Sequence, residues 1–305
     1  MNLDDIYSKI LEICKENYIV EPYIVGGVPR NIYLNSLGNK TEEPFQTRER
    51  SSLRFQEGGG LEEDYRDVDI TTNDADITRL AVTLADRTKS GFRLFGDGHV
   101  SVYTDDIMFD FSSNFISENV VNFLKSEECT KLVCPAYPDI DEKLFEVYSR
   151  EFTINTLHKR FFDDEIFDFT NRGKEDIENK IIRTVVPARI TLEDDLRRVY
   201  RAINFAARFK FSIDDEIIEY TRSNRKKFVG ENKWVLKEAF VASIVGESIG
   251  NDADITMHYL SEMDLLPTVP LAGKFKEEVI SRKLVNKYLD DAINMNEYKL
   301  KTLSI

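Results

Sequence analysis

In the stretch YRDVDITT, residues 65–72, Asp67 and Asp69 stand two apart among apolar and β-branched neighbours. Residues i and i+2 of a strand share a face, so the two carboxylates project together from one side of a sheet. Like charges held that close are costly, and a hard divalent cation relieves the repulsion. Asp110, in MFDFSS, offers a third carboxylate from a nearby expected strand. Three carboxylates around two Mg²⁺ ions suit phosphoryl transfer, activating a hydroxyl and stabilising a leaving pyrophosphate. For the Asp-x-Asp pair alone, the plainer alternative is an exposed strand with ordinary surface acids.

Two further groups carry chemistry. GGVPR, residues 26–30, offers the backbone amides of Gly26 and Gly27, a following helix start and Arg30. Such a turn can approach a phosphate closely, although most Gly-Gly pairs are only turns. Asp194 and Arg197, with Arg201, lie at i, i+3 and i+7 of an expected helix. One acceptor and one planar fork of donors can pair with a nucleobase edge. A solvated i, i+3 ion pair is the alternative.

The elements that must position these groups follow from periodicity. Residues 3–17 place Ile6, Ile10, Leu11 and Cys14 at helical spacing. YIVGG (23–27) reads as a buried strand entering a turn, and VPRNIYLNSLG as a helix with Pro29 in its first turn. Residues 38–64 are polar, charged and Gly-rich, and read as an inserted flexible loop. Strand 67–72, helix 74–88 and strands 99–103 and 106–112 follow. Together they predict an α/β head over residues 1–150 with a small mixed or antiparallel sheet. From about residue 152 the pattern turns helical, clearest in EFTINTLHKR and EDDLRRVYRAINFAARFKF. The expected fold class is therefore α+β: the head, a helical neck over 151–211 and a helical body over 212–305.

Composition narrows the function classes. The chain has 305 residues, room for more than one domain. No run of 18 apolar residues occurs, so no transmembrane helix and no membrane partner is expected. The opening MNLDDIYSKI is acidic and amphipathic, unlike a leader peptide. Cys14, Cys129 and Cys134 show neither zinc spacing nor a disulfide framework, which suggests a reducing, cytoplasmic setting. The net charge of −14 opposes nucleic-acid binding by the chain as a whole. That acidic excess lies in the N-terminal half, so a local basic surface further along stays open, for example RSNRKK (222–227). His99 and Trp234 read as structural residues.

The order of these pieces resembles the class II family of tRNA nucleotidyltransferases (CCA-adding enzymes) and bacterial-type poly(A) polymerases. YIVGGVPRNIYL resembles the family's Gly-Gly-x-x-Arg-Asp stretch, RDVDITT its Asp-x-Asp strand, and FGDGHVSVY with FDFSS the strands that follow. EVYSREFTIN resembles its Arg-Arg-Asp-Phe-Thr-Ile-Asn segment. FDFTNRGKEDIENKIIRTV and EDDLRRVYRAINFAARFKFSID resemble the neck, and YLSEMDLLPTVPL the end of the body. The resemblance implies a head holding two Mg²⁺ ions on Asp67 and Asp69, assisted by Asp110. It implies Gly26, Gly27 and Arg30 around a triphosphate, and Arg150 and Asn155 against ribose or phosphate. Asp194, Arg197 and Arg201 would read the base of ATP or CTP. The implied activity is template-independent addition of CMP and AMP to the 3′ end of tRNA. A poly(A) polymerase or an A-only or C-only enzyme is the alternative, and a non-catalytic RNA-binding relative a more distant one. Asn31, Ser149 and Glu151 depart from the family pattern, and the tail after residue 270 reads as reduced.

Overall fold

The computed structural model describes residues 3–38, 47–48, 65–72, 77–95, 99–104, 107–113, 117–132, 145–229 and 241–265. The chain divides into two compact units, one of residues 1–50 and 58–177, the other of residues 51–57 and 178–305.

The first unit is built on a mixed sheet. Its strands are β1 (Tyr23–Val25), β2 (Thr47–Arg48), β3 (Tyr65–Thr72), β4 (Gly91–Leu94), β5 (Val100–Tyr103), β6 (Ile107–Ser113), β7 (Leu157–Lys159) and β8 (Ile166–Asp168). The order is β4-β5-β6-β3-β1-β7-β8, with β2 also pairing β3. The β3–β6 pair is parallel and the other pairs are antiparallel. One face is closed by α1 (Leu3–Asn17) and α3 (Ile77–Thr88). Ile6, Ile10 and Ile13 of α1, with Ile77, Leu80 and Leu84 of α3, pack on Ile24, Val68, Ile70, Phe109 and Phe111. Each such side chain contributes about 1.5–3 kcal/mol through burial. Because strand residues alternate, the neighbours Asp67, Asp69 and Asp110 are turned to the other face.

Several expectations change here. EFTINTLHKR is not a helix: Thr153–Asn155 form one 3-10 turn and Leu157–Lys159 form β7, a partner of both β1 and β8. The β-branched Thr153, Ile154 and Thr156 resist helix, and sheet pairing together with the Thr153–Asp176 hydrogen bond (2.6 Å) decides the local structure. β4 is an additional strand, and β7 and β8 carry the sheet beyond residue 150. Within the 38–64 stretch, Thr47–Arg48 pair with β3; the rest of that expected loop lies outside the described residues.

The second unit is mainly helical: α8 (Ala188–Asp194), α9 (Arg198–Phe209), α10 (Asp215–Ser223), α11 (Arg225–Val229), a π-helical stretch Val241–Ser248 and a helix Ala253–Glu262. A two-stranded parallel sheet of β9 (Ile181–Ile182) and β10 (Ser212–Ile213) joins them. Helical spacing predicts a buried apolar stripe of Leu196, Val199, Tyr200 and Ile203; Val199, Tyr200 and Ile203 are buried, while Leu196, in the turn before α9, is half-buried. In RSNRKK, Arg222 pairs with Glu262 (3.0 Å), Arg225 with Asp264 (2.9 Å) and Lys227 with Glu193, which favours a solvated, ion-paired helix end over an RNA contact. Trp234, Cys134 and the residues after 265 lie outside the described residues. Among the described residues no helix is long and apolar enough to cross a membrane.

Candidate active site

Strand register assembles the acids. Asp69 stands directly opposite Asp110 across the parallel β3–β6 pair, with Asp67 two residues back on the same face. One carboxylate oxygen from each of Asp67, Asp69 and Asp110 lies within 4.8 Å of the others. Such a set is all oxygen and trebly anionic, the donor chemistry a hard cation such as Mg²⁺ takes. On the next strand Ser101 is in register with Asp110, and its hydroxyl donates to Asp110 Oδ1. His99 Nε2 lies 3.5 Å from the same oxygen.

The Gly-Gly turn closes on the acids from the other side. Val25 is in register with Asp69, so the chain turns at Gly26 beside that carboxylate. Gly26 has φ +72 and ψ −121, a region that side-chain-bearing residues avoid. A Cβ there would sit 2.9 Å from Asp69 Oδ2 and 3.6 Å from Arg150 Nη1. The bare turn thus lets backbone, carboxylate and guanidinium meet at one point. Gly27 begins α2 (Gly27–Ser36).

Arg150 is held there from behind. Its Nη2 donates to Glu146 Oε1 at 2.7 Å, one turn earlier, and both side chains are largely buried. Burial works against the Arg150 charge, but Glu146, Asp69 and Glu151 outweigh it and hold the guanidinium protonated beyond its ordinary range. Arg30 is placed differently. It is 2% exposed, and its guanidinium donates to Asn31 Oδ1 (3.0 and 3.1 Å) and to Asn155 Oδ1 (2.5 Å). Asn155 in turn donates to Glu151 (2.9 Å). Arg30 and Asn155 therefore tie α2 to the 3-10 turn beneath the Gly-Gly loop. Asn31 and Glu151, two departures from the family pattern, are both used in this tie. Ser149, the third, is buried and accepts the amide of Ser117 at 3.1 Å, just before α4 (Glu118–Leu124).

The second unit carries the other expected residues. Asp194 ends α8 and pairs with Arg198 at 3.4 Å. Asp195 is extended (φ −151, ψ 105), and its carboxylate accepts the Arg197 amide at 2.9 Å, while its carbonyl accepts Arg198 N–H at 3.1 Å. The expected continuous helix is thus broken at Asp195, whose extended backbone ends α8 and leads through a turn into α9, and Asp194 does not share a helical face with Arg197 and Arg201. Arg197 is half exposed and paired with Asp195 (2.8 Å). Burial disfavours the Asp195 charge, yet the Arg197 hydrogen bonds prevail and keep that carboxyl below its usual range. Arg201 is exposed on α9, with its guanidinium carbon 5.9 Å from the Phe205 ring centre.

Sequence reasoning missed Ser101 and Glu146. Ser101 was visible as the polar member of V-S-V, and Glu146 as the acid one helical turn before Arg150.

With this geometry in place, similarity to known proteins becomes informative. Residues 22–183 match the poly A polymerase head domain family. The chain is 39% identical over 100 residues to the mitochondrial CCA tRNA nucleotidyltransferase of Saccharomyces cerevisiae, which covers 31% of this chain and 17% of that protein. It is 30% identical over 152 residues to the tRNA nucleotidyltransferase cca1 of Schizosaccharomyces pombe, covering 48% and 28% respectively. The Bacillus stearothermophilus CCA-adding enzyme in complex with CTP has the same fold at TM-score 0.57 and 18% identity, over 88% of this chain and 55% of that one. The Thermotoga maritima CCA-adding enzyme complexed with tRNA gives 0.56 and 15%, over 88% and 53%. The chain thus spans about half the length of these solved structures, and the matched segments a smaller share of the curated relatives.

Proposed function

Because this chain belongs to the poly A polymerase head domain family, we propose that it is a template-independent RNA nucleotidyltransferase that adds CMP and AMP to the 3′ end of tRNA. The observation that carries the reading is the acid triad, within 4.8 Å on one sheet face, meeting the Gly26 turn and Arg150. Asp67 and Asp69, with Asp110, would hold two Mg²⁺ ions. Bound there, the ions would neutralise phosphate oxygens and acidify the attacking hydroxyl. The remaining work falls to the chain itself. The amides at Gly26 and Gly27 and the Arg150 guanidinium take the triphosphate of CTP or ATP. Arg30 and Asn155 hold that loop in shape. Asp110, steadied by Ser101, orients the RNA 3′ hydroxyl and receives its proton. The 3′ oxygen bonds to the α-phosphorus and pyrophosphate leaves, so positioning and charge complementarity supply the rate. Asp194, Arg197 and Arg201 of the second unit read the base, with both arginines exposed.

Ser149 supports a second reading within the same chemistry. A serine tied to Ser117 stands where the family resemblance implies an arginine, which suits an enzyme adding only A, only C or a poly(A) tract. We place the protein in a reducing compartment, the cytoplasm, on the buried thiols Cys14 and Cys129. Some relatives bear mitochondrial names, and cell fractionation separates the two compartments.

The test is nucleotide incorporation with Mg²⁺ on tRNA transcripts ending before CCA, at C and at CC, and on an unrelated RNA. Ordered C, C and A confined to tRNA is the expected result. A alone on the CC end, C alone on the shorter ends, or A tracts on every RNA would establish the second reading. No incorporation on any RNA would overturn both.

A further inference from the structure

Beyond Asp110 the same sheet face carries a group of flat side chains. Ser101, in register with Asp110, is also in register with Arg93 of β4. Phe95 and His99 meet one step further along, where the Phe95 amide donates to the His99 carbonyl at 2.9 Å. By strand alternation Arg93, Phe95, His99 and Ser101 all share the face of Asp110 and Asp69. The rings are stacked, with centres 4.5 Å apart and planes 14° from parallel. The Arg93 guanidinium carbon lies 4.7 Å from the Phe95 centre. His99, whose Nε2 is 3.5 Å from Asp110 Oδ1, keeps 33% of its side chain exposed. β4 is an edge strand exposed along its length.

We propose that Arg93, Phe95 and His99 form the docking platform for the 3′-terminal nucleoside of the RNA acceptor. The inference rests on the nucleotidyltransfer reading above and adds to it where the acceptor end lies. Aromatic and guanidinium planes stack on any base, the tolerance required of a site that receives a changing terminal nucleotide. The Arg93 charge complements the neighbouring phosphate and gives this acidic chain a local attraction for RNA. β4 lies two strand spacings from β6, about 10 Å. A terminal ribose and base bridge that span, placing the 3′ hydroxyl at Asp110 while the base rests on the rings.

The full chain is titrated, without nucleotide, into an RNA hairpin that ends in an unpaired 3′ 2-aminopurine. Stacking is expected to quench the fluorescence. Phe95→Leu keeps the apolar bulk but not the ring, and is expected to lose the quench and raise the Kd about 10-fold. Phe95→Tyr, which restores a ring, is expected to behave as wild type. The KM for RNA should rise about 10-fold in Phe95→Leu, in step with the Kd. An unaltered quench and Kd in Phe95→Leu, with wild-type incorporation intact, would overturn the platform alone. Failure of the wild type to incorporate any nucleotide would overturn the activity and the platform with it.

Discussion

Gly26→Ala should separate catalysis from stability. Gly26 sits at φ +72, ψ −121, and forcing an alanine there costs about 1–3 kcal/mol of backbone strain. For a unit of this size that lowers the melting temperature by roughly 2–12 °C. The added methyl would also lie 2.9 Å from Asp69 Oδ2. Relieving that contact to an ordinary distance moves the carboxylate by about 0.5 Å, the whole tolerance of a productive constellation. With a 1 Å displacement costing about 100-fold, kcat should fall about 10- to 100-fold. Gly38→Ala is the matched control. Gly38 has φ +78, but nothing lies within 4 Å of its Cβ position, so the variant should lose about 1–2 kcal/mol of stability and keep its rate. Thermal melts and single-turnover incorporation of CMP read both effects. A Gly26→Ala enzyme with wild-type kcat, or a Gly38→Ala enzyme slowed equally, would refute the reasoning.

Three other outcomes follow from the same geometry. Asn155→Ala removes an acceptor from the buried Arg30 guanidinium, costs about 1.5–3 kcal/mol and should lower the melting temperature by roughly 3–12 °C; Arg30→Lys, lacking the fork, should be no better. Burial between Tyr23 and Phe169 pushes His158 down to about 4. Between pH 6.5 and that value the unfolded chain takes up a proton the folded chain refuses, so this contribution is complete above 6.5 and is lost as the pH falls, at about 1.4 kcal/mol per pH unit. Urea melts of His158→Phe should lack that dependence between pH 6.5 and 5. Asp195→Ala removes the carboxylate that accepts the Arg197 amide and guanidinium in the turn before α9 and should cost about 0.5–1.5 kcal/mol, seen as a lower denaturation midpoint.

Much of the site was legible because strand geometry is simple. A period of two places Asp67 and Asp69 together, and a buried neighbouring strand with one acid brings in Asp110. The class of fold was legible for the same reason, since α1, α3 and the central strands carry strong apolar patterns. What was hidden depends on pairing across the chain. Leu157–Lys159 becomes a strand only because β1 and β8 flank it. The apolar stripe Leu196, Val199, Tyr200 and Ile203 gave no sign of the break at Asp195, where the backbone is extended between α8 and α9. Arg30 could be placed near a phosphate loop from its spacing, but its burial against Asn31 and Asn155 requires the folded partner 125 residues away. Ser101 and Glu146 act only through the residues they touch, Asp110 and Arg150, so only their positions, a polar residue between two valines and an acid one turn before an arginine, marked them.

The most direct test of the central claim removes one charge from the triad. Asp67→Asn keeps the shape of the side chain and takes away a metal-binding oxygen anion. Incorporation of CMP and AMP into tRNA transcripts should be abolished, and stabilisation by CTP with Mg²⁺ in a thermal melt should disappear, while the melt without ligand stays cooperative. Wild-type incorporation by Asp67→Asn would contradict the assignment of the sheet face as the catalytic centre.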